Sequence, residues 1–227
     1  IDGTSISITE LSLQEAGGVY LREGYSMSDI FTTGILQRGR DGKLVEQANG
    51  YQVDRSQRIR LGSSDPDFTM GWRHDISYKN FSLGVMVTGR FGGVVTSQTQ
   101  AFMDAFGVSK VSGKARDNGG VMLDGYMYDP ERFYNTVGGQ GLMAYYTYDA
   151  TNIRLQELSL TYSLPKKWLG NVFNNATISF VGRNLFMFYC KAPFDPDMNG
   201  STGTYNRSDF FMQPSLRNLG FSVKFSL

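Results

Sequence analysis

Residues 66–78, PDFTMGWRHDISY, alternate apolar and polar side chains with a period of two. Phe68, Met70, Trp72, His74, Ile76 and Tyr78 fall on one side. Asp67, Thr69, Gly71, Arg73, Asp75 and Ser77 fall on the other. Strand side chains point to opposite faces in turn, so this is the pattern of a strand with one apolar face. The pattern restarts after Lys79, with Phe81, Leu83, Val85 and Val87 opposite Asn80, Ser82, Gly84, Met86, Thr88 and Arg90. It returns at the chain's end, with Leu219, Phe221, Val223, Phe225 and Leu227 opposite Asn218, Gly220, Ser222, Lys224 and Ser226. In 153–164 the rows are cleanest from Glu157 onward. At the start of that segment, strict alternation puts Ile153 and Leu155 on the polar side and Arg154 on the apolar one. In 176–189, Ile178, Phe180, Gly182, Phe186 and Phe188 make the apolar side, Asn184 interrupts it, and Arg183 lies opposite. A weaker strand is predicted over 29–37.

These strands run longer than the globular average of ~5–6 residues. They match the ~9–11 residues that a tilted strand needs to cross a bilayer. The charges agree: Arg73, Asp75, Arg90, Arg183 and Lys224 all avoid the aromatic rows. A Lys or Arg facing lipid at mid-depth costs ~2–4 kcal/mol. The expectation is therefore an all-β chain whose antiparallel strands belong to a transmembrane barrel. Phe68, Trp72, Tyr78, Phe81, Val85, Phe221, Val223 and Phe225 would face lipid, and the five charged residues would face the lumen. His74 is the exception on the lipid side, where a neutral imidazole is the cheaper violation.

Short and long connections alternate, with Lys79–Asn80 and 165–175 short, and 92–152 and 190–216 long. Outer-membrane barrels have short periplasmic turns and long extracellular loops. This expectation sets a periplasmic chain end and extracellular loops at about 38–65, 92–152 and 190–216.

Composition narrows the field. The 227 residues carry 22 basic and 21 acidic side chains, a net +1, without the basic excess expected of a nucleic-acid binder. Charged residues are 19%, below the usual ~25%, and the 27 glycines exceed the usual ~7%. Aromatics reach 14%, which favours strands and turns and excludes a disordered chain. One cysteine (Cys190) and one histidine (His74) give neither an internal disulfide nor a metal cluster. Cys190 reads as an ordinary apolar side chain. No apolar run reaches the ~18 residues of a membrane helix, which says nothing against barrel strands.

The long loops carry the remaining candidate chemistry. Residues 96–106 suggest a short helix with Ala101, Phe102, Ala105 and Phe106 on one face, and 112–120 (SGKARDNGG) reads as turn-rich. Tyr126, Tyr128, Tyr145, Tyr146 and Tyr148 are substrate-binding candidates, since a phenol stacks and hydrogen-bonds at once. The plainer alternative has them packing the loops together, because a long ordered loop builds its own small core. Asp195, Asp197 and Asn199 loosely resemble a calcium loop but lack its helical flanks and closing glutamate, so no metal site is expected. No nucleophile–histidine–acid set accompanies His74, no phosphate-cradling glycine motif is present, and no enzyme activity or cofactor is expected.

Several motifs together resemble one family. LGSSDPDFTMGWRHDISYKNFSLGVMVTGRFGG (61–93), EGYSMSDIFTTGI (23–35), DATNIRLQELSLTYSLP (149–165), GRNLFMFY (182–189), APFDPDMNG (192–200) and LGFSVKFSL (219–227) resemble, in order and spacing, the late barrel strands of SusC/RagA-type TonB-dependent transporters of Bacteroidetes outer membranes. The family usually ends in Phe where this chain has Leu227. The resemblance implies import of oligosaccharides or peptides across the outer membrane, a SusD-like surface lipoprotein as lid, and energy from the TonB system. It also implies that this chain is the C-terminal part of a large plugged barrel, with the plug domain and remaining strands supplied elsewhere in the same protein. An open sheet with two bare edges is not viable in lipid. Two other architectures compete: a soluble carbohydrate-binding β-sandwich, and a self-contained eight-stranded barrel that draws further strands from 1–60.

Overall fold

The structure is a computed structural model, and it describes residues 10–12, 20–22, 24–26, 28–169, 173–197 and 208–226. In chain order the main elements are β1 (Asp29–Leu36), β2 (Val53–Ser63), β3 (Phe68–Tyr78), β4 (Phe81–Phe91) and β5 (Val94–Ser97). Helices α1 (Gln98–Ala105), α2 (Lys110–Asp117) and α3 (Pro130–Val137) follow, then β6 (Thr147–Asp149) and β7 (Asn152–Ser163). The one-turn helix α4 (Lys166–Leu169), β8 (Asn175–Cys190), β9 (Ser208–Asp209) and β10 (Asn218–Ser226) complete the chain. Two compact units result, one of Pro66–Gly92, Ala150–Asp197 and Gln213–Leu227, the other of Ile1–Asp65, Gly93–Asp149 and Met198–Met212.

The first unit is a five-stranded antiparallel sheet in the order β10-β8-β7-β4-β3. The two-residue turn between β3 and β4 places Lys79 in the left-handed region at φ +54°. Register brings like rows together. Ile76, Leu83, Leu160, Phe180 and Phe221 are consecutive cross-strand partners, and so are Tyr78, Phe81, Tyr162, Ile178 and Val223. A one-residue slip anywhere would move a strand's apolar set to the other face. Nothing among the described residues covers this apolar side: Trp72 is 54% exposed and Phe221 71%. A soluble sandwich would bury that face against a second sheet. The sheet's edges at β3 and β10 are unpaired among the described residues, so it is no closed eight-stranded barrel.

Two irregularities correct the strict-alternation reading. Leu155 pairs with Val87 and Glu157 with Met86, so Gln156 is one extra residue, a β-bulge. The bulge reverses the parity of everything before it. Ile153 and Leu155 therefore join the apolar rows, and Arg154 pairs with Thr88 on the polar side. On β8, Asn184 and Leu185 are similarly out of register, with Asn184 at φ +53°. Asn184 is thereby turned away from the apolar side, while Leu185 lies over Gly182, where a Cβ would come within 2.8 Å of its methyl.

The polar side is neutralised locally. Arg73 Nε bonds Asp75 at 2.9 Å and Arg183 Nε bonds Glu157 at 3.0 Å. Such exposed pairs contribute only ~0–1 kcal/mol each, but they leave little net charge. Nearer the turns, Ser77, Ser82, Thr161, Ser179 and Ser222 form one hydroxyl row across all five strands.

The second unit contains the β1–β2 ladder. The sequence reading gave 38–65 to a loop, but Val53–Ser63 is an eleven-residue strand. Arg55 interrupts the row that Val53 and Ile59 begin, Asp54, Arg58 and Arg60 charge the other side, and the strand carries no aromatic residue. The core of this unit comprises Leu36, Leu44, Tyr51, Val137, Leu142, Tyr146 and their neighbours. Residues 112–120, expected as turns, lie largely in α2, which Ser109 caps by accepting from the Ser112 amide. In the same way Ser97 caps α1, and Asp129 caps α3 with Pro130 in its first turn. The helix expected over 96–106 is α1, but its inward residues are Ala101 and Asp104, while Phe102 and Phe106 point outward.

The bulge yields a test of register. Deleting Gln156 leaves Leu155 beside Glu157 in ordinary alternation, so every residue keeps its face. Deleting Ser159 instead flips half the strand. In the full-length protein, the Gln156 deletion should retain the heat-modifiable gel mobility of a folded barrel, and the Ser159 deletion should lose it.

Candidate functional site

The polar side of the sheet holds one buried charge cluster, made possible by the bulge at Gln156. Arg154, with only 7% of its side chain exposed, donates to Asp195 Oδ1 and to Asp197 Oδ2, each at 2.7 Å. It also donates to Asn152 Oδ1 at 3.2 Å and to Asn184 Oδ1 at 3.5 Å. Asp195 further accepts from the Ser215 hydroxyl and from the Asp197 amide. Asn184 donates to Ser215 Oγ at 2.8 Å. One guanidinium thus ties together β7, the irregular stretch of β8, the segment after β8 and the approach to β10. Arg is suited to this because its planar fork carries five donors and stays charged.

Burial would raise the Asp195 carboxyl, but its bonds to Arg154, Ser215 and the Asp197 amide more than offset it, leaving it below the ordinary aspartate value. A depressed folded-state value means that the group stabilises above its unfolded value near 4, and that this contribution is lost as pH falls through the folded one. The cluster is therefore held at neutral pH. Asp195 and Asp197, weighed as a faint calcium motif, are engaged by Arg154; Asn199 lies outside the described residues. No group of three metal-ligating side chains occurs among the described residues.

The five charged candidates share this polar side. Arg73, Asp75 and Arg183 form the pairs described above. Arg90 lies 3.3 Å from Asp197, and Lys224 pairs in register with Thr177. Arg154, the most engaged of all the cations, was missed because strict alternation put it on the opposite face. The signal was an Arg interrupting an apolar row, with two aspartates of the sequence DPD further along.

The tyrosine candidates are corrected in part. Tyr128 and Tyr146 are buried, at 8% and 3% exposure, and cannot stack on an arriving ligand. Tyr126, Tyr145 and Tyr148 are half-buried against the same core. Three of the five hydroxyls tie segments together. Tyr128 accepts from the Leu44 amide at 3.1 Å, Tyr145 accepts from the Leu36 amide at 3.4 Å, and Tyr126 donates to the Asp41 carbonyl at 3.1 Å. Burial, together with the nearby Asp104 carboxylate, pushes the Tyr146 phenol far up, so it stays neutral. The long connection between β4 and β7, with its three helices, needs such a core. Exposed in the same unit are phenylalanines that the sequence reading did not single out as ligand contacts: Phe102, Phe106, Phe210 and Phe211.

Comparison with known proteins agrees with this fold. No family model matches. The chain is 25% identical over 221 residues to TonB-dependent receptor P3 of Formosa agariphila, covering 93% of this chain and 21% of the receptor. Among solved structures, the RagAB peptide importer in its open-open state superposes with a TM-score of 0.65 at 16% identity, covering 97% of this chain and 24% of that one. The closed-closed state gives 0.64 at 17% identity, covering 97% of this chain and 25% of that one. The chain spans about a fifth to a quarter of the length of the proteins it matches. The resemblance to SusC/RagA-type TonB-dependent transporters therefore holds, and the fold is part of a large antiparallel transmembrane β-barrel.

Replacing Arg154 with Met strands two carboxylates in a partly buried site. Removing one partner of a buried pair costs about 3–5 kcal/mol. The variant should lose its heat-resistant folded form at clearly lower temperature than the parent. Asp195→Asn should cost less, and its deficit should shrink as the comparison is repeated from pH 7 down to pH 3.

Proposed function

We propose that this chain is the C-terminal barrel portion of an outer-membrane TonB-dependent importer of oligosaccharides or peptides. It would contribute strands to the barrel wall, and the helix-containing 92–152 connection to the extracellular surface. The observation that carries this reading is the apolar side of the sheet, which His74 interrupts. Rows of aromatic and branched side chains run in register across five strands of nine to sixteen residues, with nothing among the described residues over them. Burying those rows in acyl chains removes them from water, and pairing β3 and β10 with further strands of the same protein satisfies their open edges. Phe68, Trp72, Tyr78, Phe81, Val85, Phe221, Val223 and Phe225 then face lipid, while Arg73, Asp75, Arg90, Arg183 and Lys224 face the lumen.

In this reading the paired lumenal charges brace the wall and meet the plug domain, rather than gripping substrate. A SusD-like surface lipoprotein is the proposed partner, supported by the similarity to a structure described as the RagAB importer. Coupling to TonB would run through the N-terminal part of the full protein. Transport, without catalysis, is the proposed activity.

Two substitutions one residue apart test the facing. Val223 pairs with Ile178 in an apolar row, and Lys224 with Thr177 in a polar one. Val223→Arg should abolish the heat-modifiable barrel of the full transporter, in line with the ~2–4 kcal/mol cost of an arginine at mid-depth in lipid. Lys224→Gln should assemble normally. A normally assembled Val223→Arg protein would reverse the assignment. Import itself should cease in cells whose proton-motive force has been collapsed, as measured by uptake of a labelled substrate.

A further inference from the structure

One end of the five-stranded sheet carries cations without anions. The β3–β4 turn, the β7–β8 link and the last residues of β10 meet there, at the end that the import reading turns toward the periplasm. Lys79, Lys166 and Lys167 belong to it, and no aspartate or glutamate occurs in 76–92, 158–194 or 210–227. The nearest carboxylates along the strands are Asp75 and Glu157, which lie on the polar side and are held by Arg73 and Arg183. At ~3.4 Å per strand residue, Asp75 is ~10 Å from Tyr78 and Glu157 ~17 Å from Tyr162, past the ~8 Å over which salt screens exposed charges. The opposite end is mixed, with Asp195 and Asp197 engaged by Arg154 and Arg90.

Hydrogen bonds gather the three lysines. Asn80 Nδ2 donates to the Ser163 carbonyl and the Ser163 amide donates to the Asn80 carbonyl, both at 2.8 Å. That double tie sets Lys79 beside the start of the β7–β8 link. The Leu164 amide donates to the Ala176 carbonyl at 2.9 Å, which holds the link to β8, and the Trp168 amide donates to the Pro165 carbonyl at 2.9 Å, which turns it into α4. Leu169 is buried, while Lys166, Lys167 and Trp168 are exposed. Among the described residues none of the three lysines makes an ion pair.

Rings adjoin these charges. The Lys79 ammonium lies 5.2 Å from the centroid of the Tyr78 ring, and so on the apolar side. Phe81 packs on Tyr162 at 4.6 Å in the same row, and Phe173 packs on Phe225 at 5.2 Å.

We infer that this end of the sheet binds the phosphate of an anionic phospholipid, with Lys79, Lys166 and Lys167 supplying the counter-charge and Tyr78, Phe81 and Trp168 lying against the glycerol and first acyl carbons. This rests on the import reading and adds to it a preference for one kind of lipid. Interfacial rings alone suit any bilayer. Three lysines without carboxylates do not, because a zwitterionic headgroup brings an ammonium of its own. A soluble polyanion would meet the lysines but leave the rings in water, whereas a phospholipid carries phosphate and hydrocarbon in one molecule.

The full transporter, purified in dodecyl maltoside, tests this by titration with fluorescent phosphatidylglycerol and with phosphatidylcholine of the same chains. A lysine at an anionic surface contributes about fivefold in affinity. The parent should therefore prefer phosphatidylglycerol about tenfold or more, and the preference should shrink as salt is raised. Lys79→Gln alone should reduce it about fivefold. Combined with Lys166→Gln and Lys167→Gln it should abolish the preference. Lys224→Gln, which removes a cation at the same end but on the polar side, should keep it. Barrel mobility on gels should be unchanged throughout. A parent without preference, a preference that survives the triple change, or an equal loss in Lys224→Gln would each overturn the inference. So would displacement of the lipid by an equal concentration of glycerol 1-phosphate, which would make the site one for free phosphate. Titration involves no uptake, so failed import with the preference intact would count against the import reading alone. An importing barrel without the preference would count against this inference alone.

Discussion

A strand in hydrocarbon has no water to satisfy its backbone, so its amides and carbonyls must find other strands. In the proposed barrel, the features of the sheet unit follow from that constraint. Pairing fixes the register, the register sets which side chains share a face, and the two faces must differ completely because their solvents do. The rows through Phe180 and Phe221, and through Ser179 and Ser222, cross the same two strands one residue apart. They cannot be exchanged without moving serines into lipid.

The five long strands were legible because that constraint writes itself into the sequence as alternation, and their expected limits lie within two residues of those observed. What escaped was everything that departs from period two. Gln156 shifts parity, and a reading that counts in twos carries the error to the end of the strand; the Asn184–Leu185 pair disturbs the alternation only at itself. Arg154 was misplaced for that reason alone. Val53–Ser63 escaped for another reason, since charges on both of its faces erase the contrast on which the method depends.

The helical connection obeys different rules. Its core is aromatic, and its tyrosines serve as internal ties between distant segments rather than as a presented surface. Residues 129–132, DPER, carried a readable helix start, with an aspartate cap followed by proline and glutamate, and it was passed over in favour of the tyrosines around it. At its surface stand the rings of Phe102 and Phe106.

If the polar side lines the lumen as proposed, the row Ser77, Ser82, Thr161, Ser179 and Ser222 has a consequence for anything moving along that wall. A hydroxyl both gives and takes a hydrogen bond and can swivel between partners, so the row has no fixed sign. A body sliding past it can trade one contact for the next without crossing an electrostatic barrier, unlike at the band of Arg73, Glu157 and Arg183. The wall is thus adhesive at one height and slippery at another, a difference set by five small side chains.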